Sequence, residues 1–430
     1  MSDVLLEDHG FSYEEALAEA KRCLNCKTKP CVVGCVAHME IPSLIQAFIQ
    51  GEGSEAKRIA ENGDAFPEIC GRVCYQEIQC ENQCVWNKQG KPIKIGLIER
   101  YIGDHYQTQL KQSNQIKGSV AIIGSGPAGL ACALDCTKAG LKVTVYERKD
   151  VIGGVLKFGI PSYRLPKSVV DHRIDELKKL GVNFIVNQNV GQDIDFLELK
   201  NQYDAMFIAL GASKINYTNI EGIRLSKVIG WRKYLSLVNI SPDAFRSHYP
   251  NVQRIIVVGG GNVAMDVVNT AARIGLKVDL IYRRTLEMMP ARKIEVMEML
   301  ELGVNLHTLR DPIRISEQGN EVIVLCRKTK LIFADEYSRG VVVDDEGFEE
   351  FTSDLLIMAI GSSVRPLKFE GLEVNEFNHI SVDKDYKTSL DGVYSGGDAV
   401  TGAQTVIHAL ASGKKAALSI IKYIEGKNEH

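Results

Sequence analysis

No apolar run reaches about eighteen residues anywhere in this chain of 430, so no membrane-spanning helix is expected. The amino terminus, MSDVLLEDHGFSYEEALAEAK, lacks the basic-then-apolar order of a secretory signal, and a cytoplasmic location is expected. A basic excess is missing too: 51 Lys and Arg stand against 54 Asp and Glu, a formal charge of −3. Such a chain has no surplus to neutralise a phosphate backbone, which argues against nucleic acid as the partner. Cysteine is scarce along most of the sequence, since after Cys84 only Cys132, Cys136 and Cys326 remain. The other eight of the eleven fall between Cys23 and Cys84. In a reducing compartment such crowding reads as ligands, not disulfides.

What is present is ordinary globular material, 45% hydrophobic and 24% charged, at a length that suggests about three domains. Short helices, among them 12–21 and 41–49, alternate with cysteine-bearing loops as far as Lys117. There the text changes to SVAIIGSGPAGLACALDCTKAGLKVTVYER, an apolar run, a glycine turn, a helix and a second apolar run: a βαβ unit. The pattern recurs from Arg254 as RIIVVGGGNVAMDVVNTAARIGLKVDLIYRR. After each unit an apolar strand runs into a glycine, AMFIALGAS at 205–213 and LLIMAIGSS at 355–363. The expected class is α/β: an amino-terminal helical domain, 1–117, followed by two nested Rossmann-like domains, one from 118–230 and 364–430, the other from 231–363. Two sequential domains with a short tail are the alternative. The tail opposes it, because GVYSGGDAV and the apolar helix 406–424 need a sheet to join.

Gly124, Gly126 and Gly129 form G-x-G-x-x-G between strand and helix, and Glu147 ends the next strand. The first glycine permits the turn, the second lets backbone approach a pyrophosphate, and the third packs helix on strand. The helix N-terminus favours the anion and the acid can accept from ribose hydroxyls. Gly153-Gly154 and Gly396-Gly397-Asp398 resemble the segments that approach the flavin in two-dinucleotide flavoproteins, which implies FAD here and a ribitol contact for Asp398. The candidate flavin-site residues are Gly124, Ser125, Gly126, Pro127, Ala128, Gly129, Glu147, Gly154, Arg164, Gly397, Asp398 and Thr405.

The second turn, Gly259, Gly261 and Ala264 with Asn262, is G-x-G-x-x-A. Where an NADH site wants an acid, this chain has Arg283 and Arg284 after Tyr282. Guanidinium forks match phosphate oxygens, so NADPH is expected; Asp279 lies inside the strand, a poor place for a ribose acceptor. Hydride transfer between two stacked rings is governed by positioning, and no catalytic acid or base is named.

The cysteines form two sets, Cys23-x2-Cys26-x4-Cys31-x3-Cys35 and Cys70-x3-Cys74-x5-Cys80-x3-Cys84. Spacing alone permits structural zinc or iron–sulfur clusters, and the neighbouring dinucleotide sites favour clusters, because zinc has no redox chemistry. Together with PIKIGLIERY, GSGPAGLA, GGVLKFGIPSYRLPK, GGGNVAMD, YRR followed by MPARKIEV, and GGD, these sets make the whole chain resemble the NADPH-oxidising small subunit of bacterial glutamate synthase. Its relatives include the amino-terminal part of dihydropyrimidine dehydrogenase and the large subunit of NADH-dependent ferredoxin:NADP oxidoreductase.

The resemblance implies two [4Fe–4S] clusters with interleaved ligands: Cys23, Cys26, Cys31 and Cys84 for one, Cys35, Cys74, Cys80 and Glu99 for the other, with Cys70 a non-ligand. An exposed helical glutamate is the alternative reading of Glu99. Relatives often place proline after the cysteines matching Cys35 and Cys74, where this chain has Val36 and Tyr75, so cluster potentials do not transfer. The resemblance further implies a larger catalytic partner subunit. A pyrimidine-reducing partner is the near rival, and a zinc-stapled nucleotide-sensing protein the reading from another class. A disulfide reductase is excluded, because beyond Tyr146 only Cys326 exists.

Overall fold

A computed structural model describes residues 10–109, 113, 117–216, 219–333, 340–366 and 369–428; the first nine residues of the acidic amino terminus lie outside the described residues. Two compact units divide the chain. One spans Asp8–Lys157, Arg164–Ser213 and Ser363–His430; the other contains Phe158–Tyr163 and Lys214–Ser362.

The first unit opens with six helices: α1 (Tyr13–Lys21), α2 (Pro30–Gly34), α3 (Ile41–Ile49), α4 (Gly53–Asp64), α5 (Pro67–Val73) and α6 (Ile95–His105). The Ser12 hydroxyl accepts from the Glu15 amide and the Glu15 carboxylate accepts from the Ser12 amide, a capping box that fixes the start of α1. Ile41, Leu44, Ile45 and Phe48 of α3 pack with Ile95, Ile98 and Ile102 of α6 in one apolar core, against which Cys23, Cys31, Cys35 and Cys84 are partly buried. Helices α5 and α6 approach closely because their contacts are glycines: a Cβ on Gly71 would lie 2.5 Å from the Arg100 amide nitrogen, and one on Gly103 2.5 Å from that of Glu68.

The same unit continues into β1 (Gly118–Ile123), α7 (Pro127–Lys138) and β2 (Leu141–Tyr146). These strands sit in a five-stranded sheet whose order runs Val393–Ser395, Ala205–Ile208, β1, β2, Asn183–Ile185. Every pairing is parallel, and β1 and β2 are apolar and buried almost throughout, as a sheet covered on both faces requires. Val393 pairs with Met206, so the carboxyl-terminal segment does return to the first sheet, and the helix Val406–Asn428 follows it.

The second unit repeats the plan. Its sheet has the order Val228–Gly230, Leu355–Met358, Arg254–Val258, Lys277–Tyr282, Asn305–Thr308, again parallel. The two strands that end AMFIA and LLIMA occupy equivalent places, each beside the strand that leads into its glycine turn. Residues 214–230 fall in this unit, not in the first as the sequence suggests, because Val228–Gly230 pairs with Leu356–Met358. A three-stranded antiparallel sheet, Arg310–Gln318, Glu321–Ile332 and Val341–Ser353, completes it.

Candidate functional site

The amino-terminal helices gather the sulfurs from distant parts of the chain. Cys23, Cys26, Cys31 and Cys84 line a single pocket, walled by Ile41, Ile45, Trp86, Ile93 and Ile95. The Trp86 indole donates to the Arg22 carbonyl at 2.9 Å, which ties the segment bearing Cys84 to the segment bearing Cys23. Burial, with Cys23 and Cys84 nearby, pushes the Cys31 thiol up to about 11. A soft metal centre offsets that penalty by taking the thiolate charge, so these donors suit a cluster or zinc.

The second set is deeper. Cys74 is 8% exposed, Cys80 7% and Glu99 4%, which overturns the reading of Glu99 as an exposed helical glutamate. Cys80 has Glu99, Cys74 and Cys35 as its electrostatic neighbours, and Glu99 has Cys74 and Cys35. Burial raises the Cys35 thiol to about 11, with Asp64 and Cys74 contributing. Sequence reasoning missed one further donor, Asp64. The Asp64 carboxylate, the Cys70 sulfur and the Glu99 carboxylate lie within 4.8 Å of one another, all buried. Burial and then Asp64 drive the Glu99 carboxyl well above its ordinary range, and one oxygen of each of these two carboxylates has no hydrogen-bond partner. Asp64 and Cys70 thus join Cys35, Cys74, Cys80 and Glu99 in one buried neighbourhood of possible donors. Spacing flagged Cys70; no sequence signal flagged Asp64, which ends α4 and reaches the site only through the packing of α4 and α5 on α6.

At the first glycine turn the geometry separates the roles. Gly124 has φ +106° and a Cβ there would sit 2.4 Å from the Ala209 carbonyl oxygen; a Cβ on Gly129 would sit 2.0 Å from the Gly124 oxygen. Gly126, by contrast, has open space where its Cβ would point, the cradle a pyrophosphate needs at the start of α7. Pro127 and Ala128 form the first turn of that helix; a Cβ on Gly154 would lie 2.8 Å from the Gly126 Cα, and one on Gly397 3.0 Å from the Ala128 Cβ. The Glu147 carboxylate accepts from the Ser125 hydroxyl at 2.6 Å and the Ser125 amide at 3.1 Å, while the Ser125 hydroxyl accepts from the Gly153 amide at 3.1 Å. Ser125 and Glu147 therefore brace the turn as well as facing it.

The remaining flavin-site candidates lie in the same unit. One Asp398 carboxylate oxygen accepts from the Gln404 amide at 3.2 Å. The Thr405 hydroxyl and the His408 ring share a 2.7 Å hydrogen bond, and Arg164 is half-buried. Sequence reasoning passed over Arg148, which follows Glu147 and has Arg365 as a neighbour; burial, and then Arg365, lower its pKa.

The second turn repeats the design. Gly259 has φ +146° and its Cβ would lie 2.3 Å from the Ala359 oxygen, whereas Gly261 faces open space. Ala264 is buried in the helix Asn262–Arg273, and the Asn262 side chain accepts from the Arg292 amide at 2.9 Å. Asp279, a poor candidate for a ribose acceptor by its place inside the strand, is hydrogen-bonded to His307 at 2.7 Å. Arg283 is exposed and Arg284 half-buried just beyond the strand Lys277–Tyr282; their carbonyls accept from the Thr329 hydroxyl and the Leu309 amide.

Comparison with known proteins agrees with this architecture. The family described as pyridine nucleotide-disulphide oxidoreductase matches residues 118–413, and dihydropyrimidine dehydrogenase domain II, 4Fe-4S cluster, matches residues 4–111. A glutamate synthase [NADPH] small chain from Escherichia coli K12 is 33% identical over 96% of this chain and 93% of its own length. An NAD-dependent dihydropyrimidine dehydrogenase subunit from E. coli O157:H7 is 31% identical, covering 96% and 95%. Among solved structures, Mycobacterium tuberculosis FprA in complex with NADPH superposes with a TM-score of 0.63 at 19% identity, covering 73% of this chain and 85% of that one.

Proposed function

The chain belongs to the pyridine nucleotide-disulphide oxidoreductase family, as an NADPH-dependent oxidoreductase of the glutamate synthase small-chain type with an iron–sulfur domain, and from that premise we propose that it is an electron-input subunit for a larger catalytic partner in the cytoplasm. The groups bound would be FAD, NADPH and two [4Fe–4S] clusters, and the chemistry they supply is hydride uptake from NADPH and its release as single electrons. The observation that carries this reading is the grouping of Cys23, Cys26 and Cys31 with Cys84 in one pocket, beside a second buried set in a chain that also has two open glycine cradles.

On this reading Gly126 and the amino end of α7 receive the FAD pyrophosphate, and Glu147 orients the ribose while holding Ser125 in the turn. Gly154, Arg164, Gly397, Asp398 and Thr405 shape the rest of the flavin site. Gly261, Asn262 and Ala264 form the nicotinamide dinucleotide cradle, and Arg283 and Arg284 hold the 2′-phosphate. Cys23, Cys26, Cys31 and Cys84 ligate one cluster; Cys35, Cys74, Cys80 and Glu99 ligate the other, with Cys70 outside the set.

A pyrimidine-reducing partner is the second reading, favoured by the relative described as an NAD-dependent dihydropyrimidine dehydrogenase subunit. The coenzyme separates the two. Loss of a charge-assisted phosphate contact costs about 1.5–3 kcal/mol, so Arg283→Ala should raise KM for NADPH on the order of tenfold to a hundredfold and leave NADH oxidation unchanged. Equal effects on both coenzymes would remove the 2′-phosphate role.

A further inference from the structure

The two cysteine segments that frame the first pocket are unlike the rest of the chain in charge. Residues 21–35, KRCLNCKTKPCVVGC, carry Lys21, Arg22, Lys27 and Lys29, and residues 84–94, CVWNKQGKPIK, carry Lys88, Lys91 and Lys94; neither segment contains an acid. The whole chain has a net charge of −3, so this is a local concentration. Arg22, Lys29 and Lys94 are paired with Glu19, Glu40 and Glu81, whereas Lys27, Lys88 and Lys91 are exposed and in no ion pair among the described residues. The segments lie side by side: the Arg22 guanidinium donates to the Lys91 carbonyl at 2.7 Å, and the Trp86 indole to the Arg22 carbonyl.

Two exposed aliphatic side chains, Leu24 at 56% and Val85 at 39%, stand beside Cys23 and Cys84 on these segments. All four cysteines of this pocket are half-buried, whereas in the second set only Cys35 is, and Cys74, Cys80 and Glu99 are buried. The first pocket is therefore the solvent-facing end of the pair. An apolar spot with a rim of lysines at a metal centre is the complement of an apolar spot with a rim of carboxylates, and such complementarity steers encounter and fixes orientation.

We propose that the face formed by Leu24, Val85, Lys27, Lys88 and Lys91 is where electrons leave, by docking a one-electron acceptor protein whose receiving face is acidic. The inference rests on the reading of the first cysteine set as a cluster site. Each NADPH oxidised to NADP⁺ and a proton yields two electrons, and each acceptor takes one.

The test uses the full holoprotein and two haem proteins of opposite charge as one-electron acceptors, acidic cytochrome b5 and basic cytochrome c, with uncharged menadione as a control. The triple variant Lys27→Glu/Lys88→Glu/Lys91→Glu should lower kcat/KM for cytochrome b5 on the order of tenfold to a hundredfold at low salt, raise it for cytochrome c, and leave menadione reduction and the spectra of both clusters as in the wild type. The neutral variant Lys27→Gln/Lys88→Gln/Lys91→Gln should fall between, and the difference should shrink at high ionic strength. Unchanged cytochrome b5 kinetics in a protein that retains both clusters would overturn the docking face alone. Duplex DNA retained by the wild type and not by the variant would make this a nucleic-acid surface and overturn it too. Absence of acid-labile sulfide would remove the cluster reading, and the exit face with it.

Discussion

Residue by residue, the two cradles divide glycines that the fold needs from glycines that a ligand needs. Gly129 is filled on the protein side, with a carbonyl oxygen 2.0 Å from where a Cβ would be; Gly126 has nothing within 4 Å and a φ of −72°, which any residue adopts. Gly126→Ala should therefore leave the thermal stability of the flavin-free protein unchanged and abolish flavin retention on gel filtration, whereas Gly129→Ala should lower stability itself. Loss of stability in both, or flavin retention in both, would contradict the assignment. Glu99 is tested spectroscopically: Glu99→Ala should alter the EPR signal of one cluster and leave the other intact, while Cys70→Ser should keep the wild-type iron content. Unchanged spectra of both clusters in Glu99→Ala would return that glutamate to a packing role.

At the scale of elements, the cluster-bearing helices are fastened to the flavin sheet by buried charge. Arg173, on the helix Lys167–Leu180, is 2% exposed and donates twice to the Glu68 carboxylate of α5 at 2.8 Å and to Glu61 of α4 at 3.2 Å. Its guanidinium also lies 5.1 Å over the Phe66 ring. Although burial opposes it, Arg173 holds the Glu68 carboxyl below its ordinary range. Lys414, on the carboxyl-terminal helix, adds a bond to the Glu61 carbonyl at 3.2 Å and to Asp135 of α7 at 2.9 Å. Removing one partner from such a network leaves the others buried and uncompensated, at a cost of about 3–5 kcal/mol. Arg173→Met should show that loss in denaturant unfolding, and Arg173→Met/Glu61→Gln/Glu68→Gln, which removes the stranded charges, should recover most of it. A loss under about 1 kcal/mol in the single variant would mean the network is not what joins these helices.

Much of this was legible in the chain before folding, for reasons that differ from place to place. The βαβ units were legible because buried parallel strands are continuous apolar runs and the turns between them demand glycine. The return of 393–395 to the first sheet followed from an apolar strand and helix that had no sheet of their own. The division at 230 was not legible: Val228–Gly230 is three residues long and nothing local says which sheet it joins. The antiparallel sheet of residues 310–353 carries period-two burial in Glu321–Ile332, yet its outward Ile323 and Leu325 are apolar, so the sequence itself shows no alternation there. Arg173, Asp64 and the contact between Cys70 and Glu99 depend on how helices meet across about 30 or more positions of sequence, information no local window contains.

At the scale of the whole molecule, the proposed role is the conversion of paired into single electrons. No helix among the described residues is long and apolar enough to cross a membrane, and the proposed chemistry rests on two nucleotide cradles and two cysteine sets. The most direct measurement is an anaerobic titration of the purified protein with NADPH, followed by absorption and EPR, on material assayed for flavin, iron and sulfide. The account predicts a yellow-brown protein with one FAD and about eight irons per chain, whose flavin absorbance bleaches with the first equivalents and whose cluster absorbance falls with it. A colourless protein with about two zincs, or a flavin that NADPH reduces while iron and sulfide are absent, would contradict it.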